Sequence, residues 1–332
     1  LVSSFIASVI AGKSVSIDFG DGAGMNLLNL TDLTWDEKLL AATAPDLTEK
    51  LPSPASTTTI QGKISSYFVR KYGFSESCRC TLFTGDNPAS LVGMGATTPG
   101  NIVISLGTSD TFFAAMIGPK TDPNGFGHVF GNPVGGFMSL ICFRNGSLAR
   151  EALRNKLNLD WSDFDRDALF ATQAFAGKNL MLPFFGPEIT PRHDFTEPIL
   201  QGSSEFESGK NPSLQVRALL EGQFLNMRLH SQWMGVKIKR IRLTGGASKN
   251  DGIAQMVADI FQAPVERLDV LNSAALGAAL IAADSADQDL ADLQGIFCKA
   301  EEGSALQPNL TLATTYDEAL SRFKLLLEAS CS

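Results

Sequence analysis

Apolar positions recur at helical spacing across Pro212–Gly235, the longest such pattern in the chain. Val216, Leu219, Leu220, Phe224, Met227 and Leu229 fall largely on one face, which predicts a core helix. The periodicity then changes. Lys239–Thr244 (KRIRLT) predicts a strand that runs into Gly245-Gly246-Ala247-Ser248-Lys249-Asn250. A helix over Asp251–Phe261, a strand over Val265–Asp269 and a small-residue helix over Ser273–Ala283 follow. Strand, glycine turn, helix, strand and helix in that order indicate an α/β fold. A similar alternation lies earlier: Leu82-Phe83-Thr84 leads into a Gly85-Asp86-Asn87 turn and a helix of small residues. The buried strand Asn101–Ser105 (NIVIS) then empties into the tight turn Leu106-Gly107-Thr108-Ser109.

The remaining segments are read in the same way. Leu1–Ile10 predicts an apolar helix ended by Gly12-Lys13, and Val15–Ile17 an extended piece. Asp18–Asn26, dense in Gly and Asp, reads as a loop able to present polar groups, or as a plain surface turn. Trp35–Ala42 is helical, and Pro52–Pro54 marks a loop. Ile64, Phe68 and Tyr72 give Ile60–Tyr72 the spacing of an amphipathic helix. Asp122–Asn132 reads as a hairpin or exposed loop, Gly136–Phe143 as a strand, and Asn145-Gly146-Ser147 as the cap of a helix over Leu148–Leu157. A further helix starts at Trp161, with Ser162 as N-cap and Asp165 at the N3 position. Asn179–Phe185 is a buried run, and Glu188–Lys210 a loop.

Composition narrows the function classes. The 332 residues suffice for two domains. Lys+Arg 27 against Asp+Glu 35 leaves a net charge of −8 and no basic stripe, which argues against a nucleic-acid or anionic-membrane surface. No run approaches the length that spans a bilayer. The 5 cysteines are scattered, Cys78 and Cys80 stand too close for a zinc knuckle or a redox pair, and the odd count fits reduced thiols in a cytoplasmic protein. Three histidines, far apart, give little material for a His-based metal site or a Ser-His triad.

Chemistry concentrates on the turns that follow strands. A carboxylate on one turn (Asp86) and a Gly/Thr/Ser loop on the next (Gly107, Thr108, Ser109) suit phosphoryl transfer, which needs an acceptor hydroxyl oriented and phosphates cradled. Asp86 also fits a plain helix start, with Pro88 in the first turn. Gly245-Gly246 lets backbone lie against a flat ligand at a helix N-terminus, or simply turns the chain. Neither a Walker loop nor a Gly-x-Gly-x-x-Gly fingerprint is present.

Taken together, the blocks Asp21–Leu28 (DGAGMNLL), Thr84–Pro88 (TGDNP), Ser105–Asp110 (SLGTSD), Arg144–Leu148 (RNGSL), Trp161–Phe164 (WSDF) and Gly245–Asn250 (GGASKN) resemble the FGGY carbohydrate kinases of the actin/hexokinase/Hsp70-like ATPase superfamily. Order and spacing fit across nearly the whole chain. The Gly-Met-Asn-Leu-Leu and Asn-Gly-Ser-Leu blocks resemble most the branch that acts on D-xylulose. The resemblance implies two ribonuclease-H-like α/β domains with the site in the cleft between them. Residues 1–99 would be the end of the sugar-binding domain, and 100–332 the nucleotide-binding domain. It implies ATP with Mg²⁺, transfer of the γ-phosphate to D-xylulose, and a monomer or homodimer. Asp86 matches the general base, Asn87 a sugar contact, and Gly107, Thr108 and Ser109 the phosphate turn. Gly245, Gly246 and Asn250 match the adenosine turn, and Trp161 a tryptophan near the nucleotide or, equally, a core residue. No metal ligand is assigned.

One departure stands out. The family's first-domain phosphate loop, of Asp-x-Gly-Thr type, has no match here, and Asp18-Phe19-Gly20-Asp21 is not its equivalent. The upstream His and Arg that help hold xylulose are also missing. The expectation is a chain lacking roughly the first half of its amino-terminal domain, and inactive as an isolated fragment. Other substrates of the family (ribulose, glycerol, gluconate) and a non-catalytic nucleotide-binding relative are the alternatives.

Overall fold

Six strands form the central sheet of the computed structural model, which describes residues 1–170, 173–175, 178–268, 270 and 272–331. In chain order they are β1 (Asn101–Leu106), β2 (Asp110–Met116), β3 (His128–Gly131), β4 (Phe137–Phe143), β5 (Arg240–Thr244) and β6 (Val265–Arg267). Their spatial order is β6-β5-β1-β2-β4-β3. β6, β5 and β1 run parallel, with Leu243 opposite Ile104 and Thr244 opposite Ser105. The β1–β2, β2–β4 and β4–β3 pairings are antiparallel.

The strands alternate between two cores because successive side chains point to opposite faces. Ile102, Ile104 and Leu106 of β1, with Phe112, Ala114 and Met116 of β2, enter one cluster. Val103, Phe113 and Ala115 enter another on the far side. Both faces are covered, so these strands read as nearly continuous apolar runs.

The helices used below are numbered in chain order: α1 (Phe19–Gly24), α2 (Asp86–Gly93), α3 (Ser147–Lys156), α4 (Trp161–Phe170), α5 (Pro212–Ser231), α6 (Asp251–Phe261), α7 (Ser273–Asp284) and α8 (Ala313–Ser330). α5, α6 and α8 bury Phe224, Val257 and Tyr316 in the first cluster, while Leu91 of α2 and Met94 just beyond it close the second. A smaller core of Ala7, Ala11, Val15, Ile64, Cys80 and Leu82 lies in the amino-terminal segment.

α2 crosses α7 backbone to backbone. A Cβ on Gly277 would lie 2.6 Å from the Ala89 carbonyl carbon and 2.9 Å from the Gly93 nitrogen, and one on Gly93 would lie 2.7 Å from the Gly277 nitrogen. The Ser90 and Ser273 hydroxyls bond across the same seam at 3.2 Å. Gly277→Leu must push the helices apart, and we expect a cost of about 3 kcal/mol or more in urea unfolding. Gly295→Ala, on a nearby helix with open space around it, is the control, expected to be neutral or stabilising by about 0.5–1 kcal/mol. Equal stability of the two variants would refute the seam.

Several expectations are corrected. Ile60–Tyr72 is a strand, Ile60–Lys63, followed by a helix over Ser66–Tyr72, because Ile60–Lys63 pairs with Arg79–Thr81. Asp18–Asn26 is not a loop: Asp18 caps α1. Glu188–Lys210 contains paired strands Glu188–Ile189 with Arg192–His193, a strand Ile199–Gln201 and a short helix Ser204–Glu207. The helix at Trp161 is capped by Asp160, which accepts from the Asp163 nitrogen at 2.7 Å, and not by Ser162. Asp269, placed at the end of a strand from the sequence, lies outside the described residues.

Candidate active site

The turns after β1 and β5 touch because these parallel strands are neighbours in register. Gly245 has φ +91°, and a Cβ there would lie 2.6 Å from the Leu106 carbonyl carbon, so only glycine permits this approach. Gly246 has open space where a side chain would stand. A third turn joins them: a Cβ on Gly146 would come within 2.7 Å of the Asp110 nitrogen and 2.9 Å of the Thr108 oxygen. The Ser147 nitrogen donates to the Gly107 carbonyl at 2.9 Å. Thr108 and Ser109 are exposed, at the carboxyl ends of parallel strands beside the start of α3. Exposed hydroxyls and turn N–H groups there suit an anion.

A buried ion pair stands behind this turn. Arg150 is 2 % exposed and grips Asp110, 1 % exposed, through two bonds of 2.9 and 3.0 Å. Burial pushes the Asp110 carboxyl above the usual range, and Arg150 opposes it. Arg150 also donates to the Gly107 carbonyl at 3.4 Å and to Gln223 at 3.0 Å. Gln223 in turn donates to the Asn145 and Gly146 carbonyls at 2.6 and 2.9 Å. The Asn145 side chain does not cap α3, as the sequence suggests. It accepts from the Phe185 nitrogen at 2.9 Å and donates to Glu188 at 2.9 Å, tying the turn to the loop beyond.

The β5 turn is fixed in parallel fashion. Asn250 caps α6, accepting from the Gly252 and Ile253 nitrogens at 2.9 and 3.1 Å, and donates to the Asp165 carbonyl of α4 at 3.3 Å. Ser248 closes the turn on the Gly245 carbonyl at 2.7 Å. Arg267 donates to the Ser248 and Lys249 carbonyls at 3.2 Å and to Asp251 at 2.8 Å, a support with no local sequence signal. Trp161 is 45 % exposed and not a core residue. The Arg154 guanidinium lies 4.5 Å from its ring centre, and Phe164 packs edge-on at 5.6 Å. His230 hydrogen-bonds the Asn226 carbonyl at 3.0 Å, and burial lowers its pKa.

Asp86 opens α2, with Gly85 rather than Asp86 in the cap position. Its Oδ1 accepts from the Asn87 nitrogen at 2.8 Å and the Asn87 amide at 3.0 Å. Among the described residues its Oδ2 accepts nothing, and the side chain is exposed. α2 lies on the sheet face of Val103 and leads, through residues 94–100, into the start of β1. Asp86 thus opens the helix that feeds β1, the strand that empties into the 107–109 turn.

Two carboxylates that sequence reading left in a loop lie beside Asp86. A Cβ on Gly85 would stand 3.5 Å from Asp21 Oδ1. Burial raises the Asp21 pKa, and Ser3 donates to its carboxylate. Asp18, 1 % exposed, is pushed up to about 6 by burial, with Asp21 adding to the effect. Among the described residues no group of three His, Cys, Asp or Glu side chains converges to hold a metal ion. No described helix is long and apolar enough to cross a membrane.

Comparison with known proteins decides the family. The profile of the C-terminal domain of the FGGY family of carbohydrate kinases matches residues 102–286, more than half of the chain. The chain belongs to the FGGY family. It is 42% identical over 321 residues to the xylulose kinase of Rattus norvegicus, covering 93% of this chain and 57% of that protein. This FGGY chain thus spans little more than half the length of that relative. Among solved structures, it resembles a ligand-bound xylulose kinase from Lactobacillus acidophilus with a TM-score of 0.85 at 25% identity, over 99% of this chain and 67% of the other. A gluconate kinase from the same organism gives a TM-score of 0.87 at 24% identity, over 100% and 67%. The mixed α/β architecture is that of the FGGY kinases.

Proposed function

We propose that this FGGY chain carries the base and nucleotide turns of an ATP-dependent kinase that converts D-xylulose to D-xylulose 5-phosphate. Residues 1–99 belong to its sugar side and 100–332 to its nucleotide side. The observation that supports the reading is the packing of the 245–250 turn on Leu106 beside the 107–109 turn, with Asp86 opening the helix that leads into the same strand β1. Likeness to the rat xylulose kinase supports the choice of sugar.

In this reading the γ-phosphate of ATP rests on the Gly107-Thr108-Ser109 turn, and adenosine lies against Gly245-Gly246 beside Asn250 and Trp161. The sugar's terminal hydroxyl donates its proton to the free Oδ2 of Asp86 while its oxygen attacks the γ-phosphorus. The bond from that phosphorus to the bridging oxygen breaks, and ADP leaves with the electron pair. Little proton transfer is needed early in a loose transition state, so Asp86 acts chiefly by orienting the hydroxyl. Asn87 fixes the Asp86 carboxylate and contacts the sugar. Mg²⁺ would arrive with the phosphates and neutralise part of their charge.

The structural likeness to a gluconate kinase favours a second reading, phosphorylation of another sugar or polyol on the same machinery. ADP release from MgATP separates the two, measured on this chain and on a form extended at its amino terminus. D-xylulose, ribulose, glycerol, gluconate and no sugar would be compared. Turnover that requires D-xylulose supports the first reading, and turnover with another acceptor the second. ATP binding without sugar-dependent turnover in either form overturns both and leaves a nucleotide-binding protein.

A further inference from the structure

Asp18 is a buried carboxyl that the reaction scheme does not use. Its Oδ1 accepts from the Asp21 nitrogen at 2.9 Å, and its Oδ2 from the Gly20 nitrogen and the Thr57 hydroxyl, both at 3.1 Å. The Thr84 hydroxyl, two residues before Asp86, is buried and closes no hydrogen bond of its own. It lies close to the same oxygen: a Cβ on Gly20 would stand 3.0 Å from both Asp18 Oδ2 and Thr84 Oγ1, and the Thr84 hydroxyl is among the groups that act to lower the Asp18 pKa. Glycine at position 20 keeps that space free. The segments meeting here are α1, which packs on Gly131 of β3, the strand Pro54–Ala55 with Thr57 beyond it, and the Thr84 turn. The charged group facing Asp18 is Asp21, which in turn faces Asp86. Two hydroxyls are the polar groups from the other segments.

We propose that Asp18 is a positioning residue for the catalytic turn, its Oδ2 serving as the acceptor on which the Thr84 hydroxyl seats the Thr84-Gly85-Asp86 segment. The placement explains why a carboxyl is kept where its charge is disfavoured. A buried hydroxyl with no role is better replaced by a methyl group, since an unpartnered polar group is costly to bury. A hydroxyl that docks on Asp18 is not. The proposal rests on Asp86 as the base for its consequence in catalysis, but the anchor itself is testable without turnover.

The carboxyl also leaves a signature in stability. Its folded value of about 6 lies above the ordinary 3.8, so its neutral form favours the fold. That contribution is complete below the ordinary value and is lost as pH rises from about 4 through about 6. Asp18→Asn keeps an N-cap oxygen for Asp21 and removes this titration. Its melting temperature relative to the parent protein should therefore rise with pH across that window.

The deciding experiment is amide hydrogen exchange at residues 84–87 in Thr84→Val, Thr84→Ser and Asp18→Asn. We expect Thr84→Val and Asp18→Asn to speed exchange there about tenfold or more, without a lower melting temperature at neutral pH, and Thr84→Ser to restore protection. In the kinase assay Thr84→Val should lower kcat with little change in KM for ATP, and Asp18→Asn should alter the acid limb of the rate profile. Unchanged exchange in both variants overturns the anchor. An exchange effect in a protein that turns over no sugar even in its amino-terminally extended form upholds the anchor and overturns the kinase reading instead.

Discussion

Asp86→Asn is expected to lower sugar-dependent ATP turnover by about 10²–10⁴-fold, the range ordinary for loss of a positioned general base. The amide keeps the size of the side chain, and its oxygen can still accept from the Asn87 nitrogen, as Asp86 Oδ1 does at 2.8 Å. What changes is the free oxygen. Among the described residues Oδ2 accepts nothing, and it is the atom left for an incoming hydroxyl, whereas an amide nitrogen there offers hydrogens and repels one. The turns at 107–109 and 245–250, which we propose hold the nucleotide, lie outside α2, so ATP affinity by calorimetry should stay within about threefold of the parent. An unchanged kcat would remove Asp86 from the chemistry. A tenfold loss of ATP affinity would mean that the substitution disturbs the turns, and the role of base would then rest on nothing.

The parts of this site legible in the sequence are those whose physical cause is local. A β-run ending in glycine announces a strand and a turn, so β1, β5 and the turns beyond them are visible in the chain itself. Asn250 reads as a cap because a capping residue stands directly before its helix. What is not legible depends on partners distant in sequence. Ile60–Tyr72 has helical spacing, yet pairing with Arg79–Thr81 claims its first residues for a strand. Asp18 looks like one more loop acid until Thr57, 39 positions away, is brought to it. Asn145 has the form of a cap, but Glu188 and the Phe185 nitrogen compete for its amide and win. Arg150 and Gln223 carry no signal at all, because each sits inside a helix and acts through residues on other elements.

That hidden support predicts the second large effect. Arg150→Met leaves Asp110 buried with its charge partner gone, and breaking such a pair typically costs about 3–5 kcal/mol. Gln223 at 3.0 Å from Arg150 is not a substitute, since its amide nitrogen is already committed to the Asn145 and Gly146 carbonyls. The cost should depend on pH in a definite direction. Without Arg150, burial and the Glu188 charge raise the Asp110 carboxyl further against the Gly107 backbone bond, so the neutral form favours the fold. The variant is therefore destabilised least near pH 5 and most near pH 8. Asp110→Asn combined with Arg150→Met removes both charges and should cost clearly less than the sum of the single changes. Phosphate affinity is expected to fall in Arg150→Met even where the fold survives, because the same guanidinium holds the Gly107 carbonyl and so shapes the turn. Urea unfolding of the parent and the three variants at pH 5 and pH 8 measures all of this. A cost below about 1 kcal/mol for Arg150→Met, or strict additivity in the double variant, would show that the ion pair does not hold the phosphate turn.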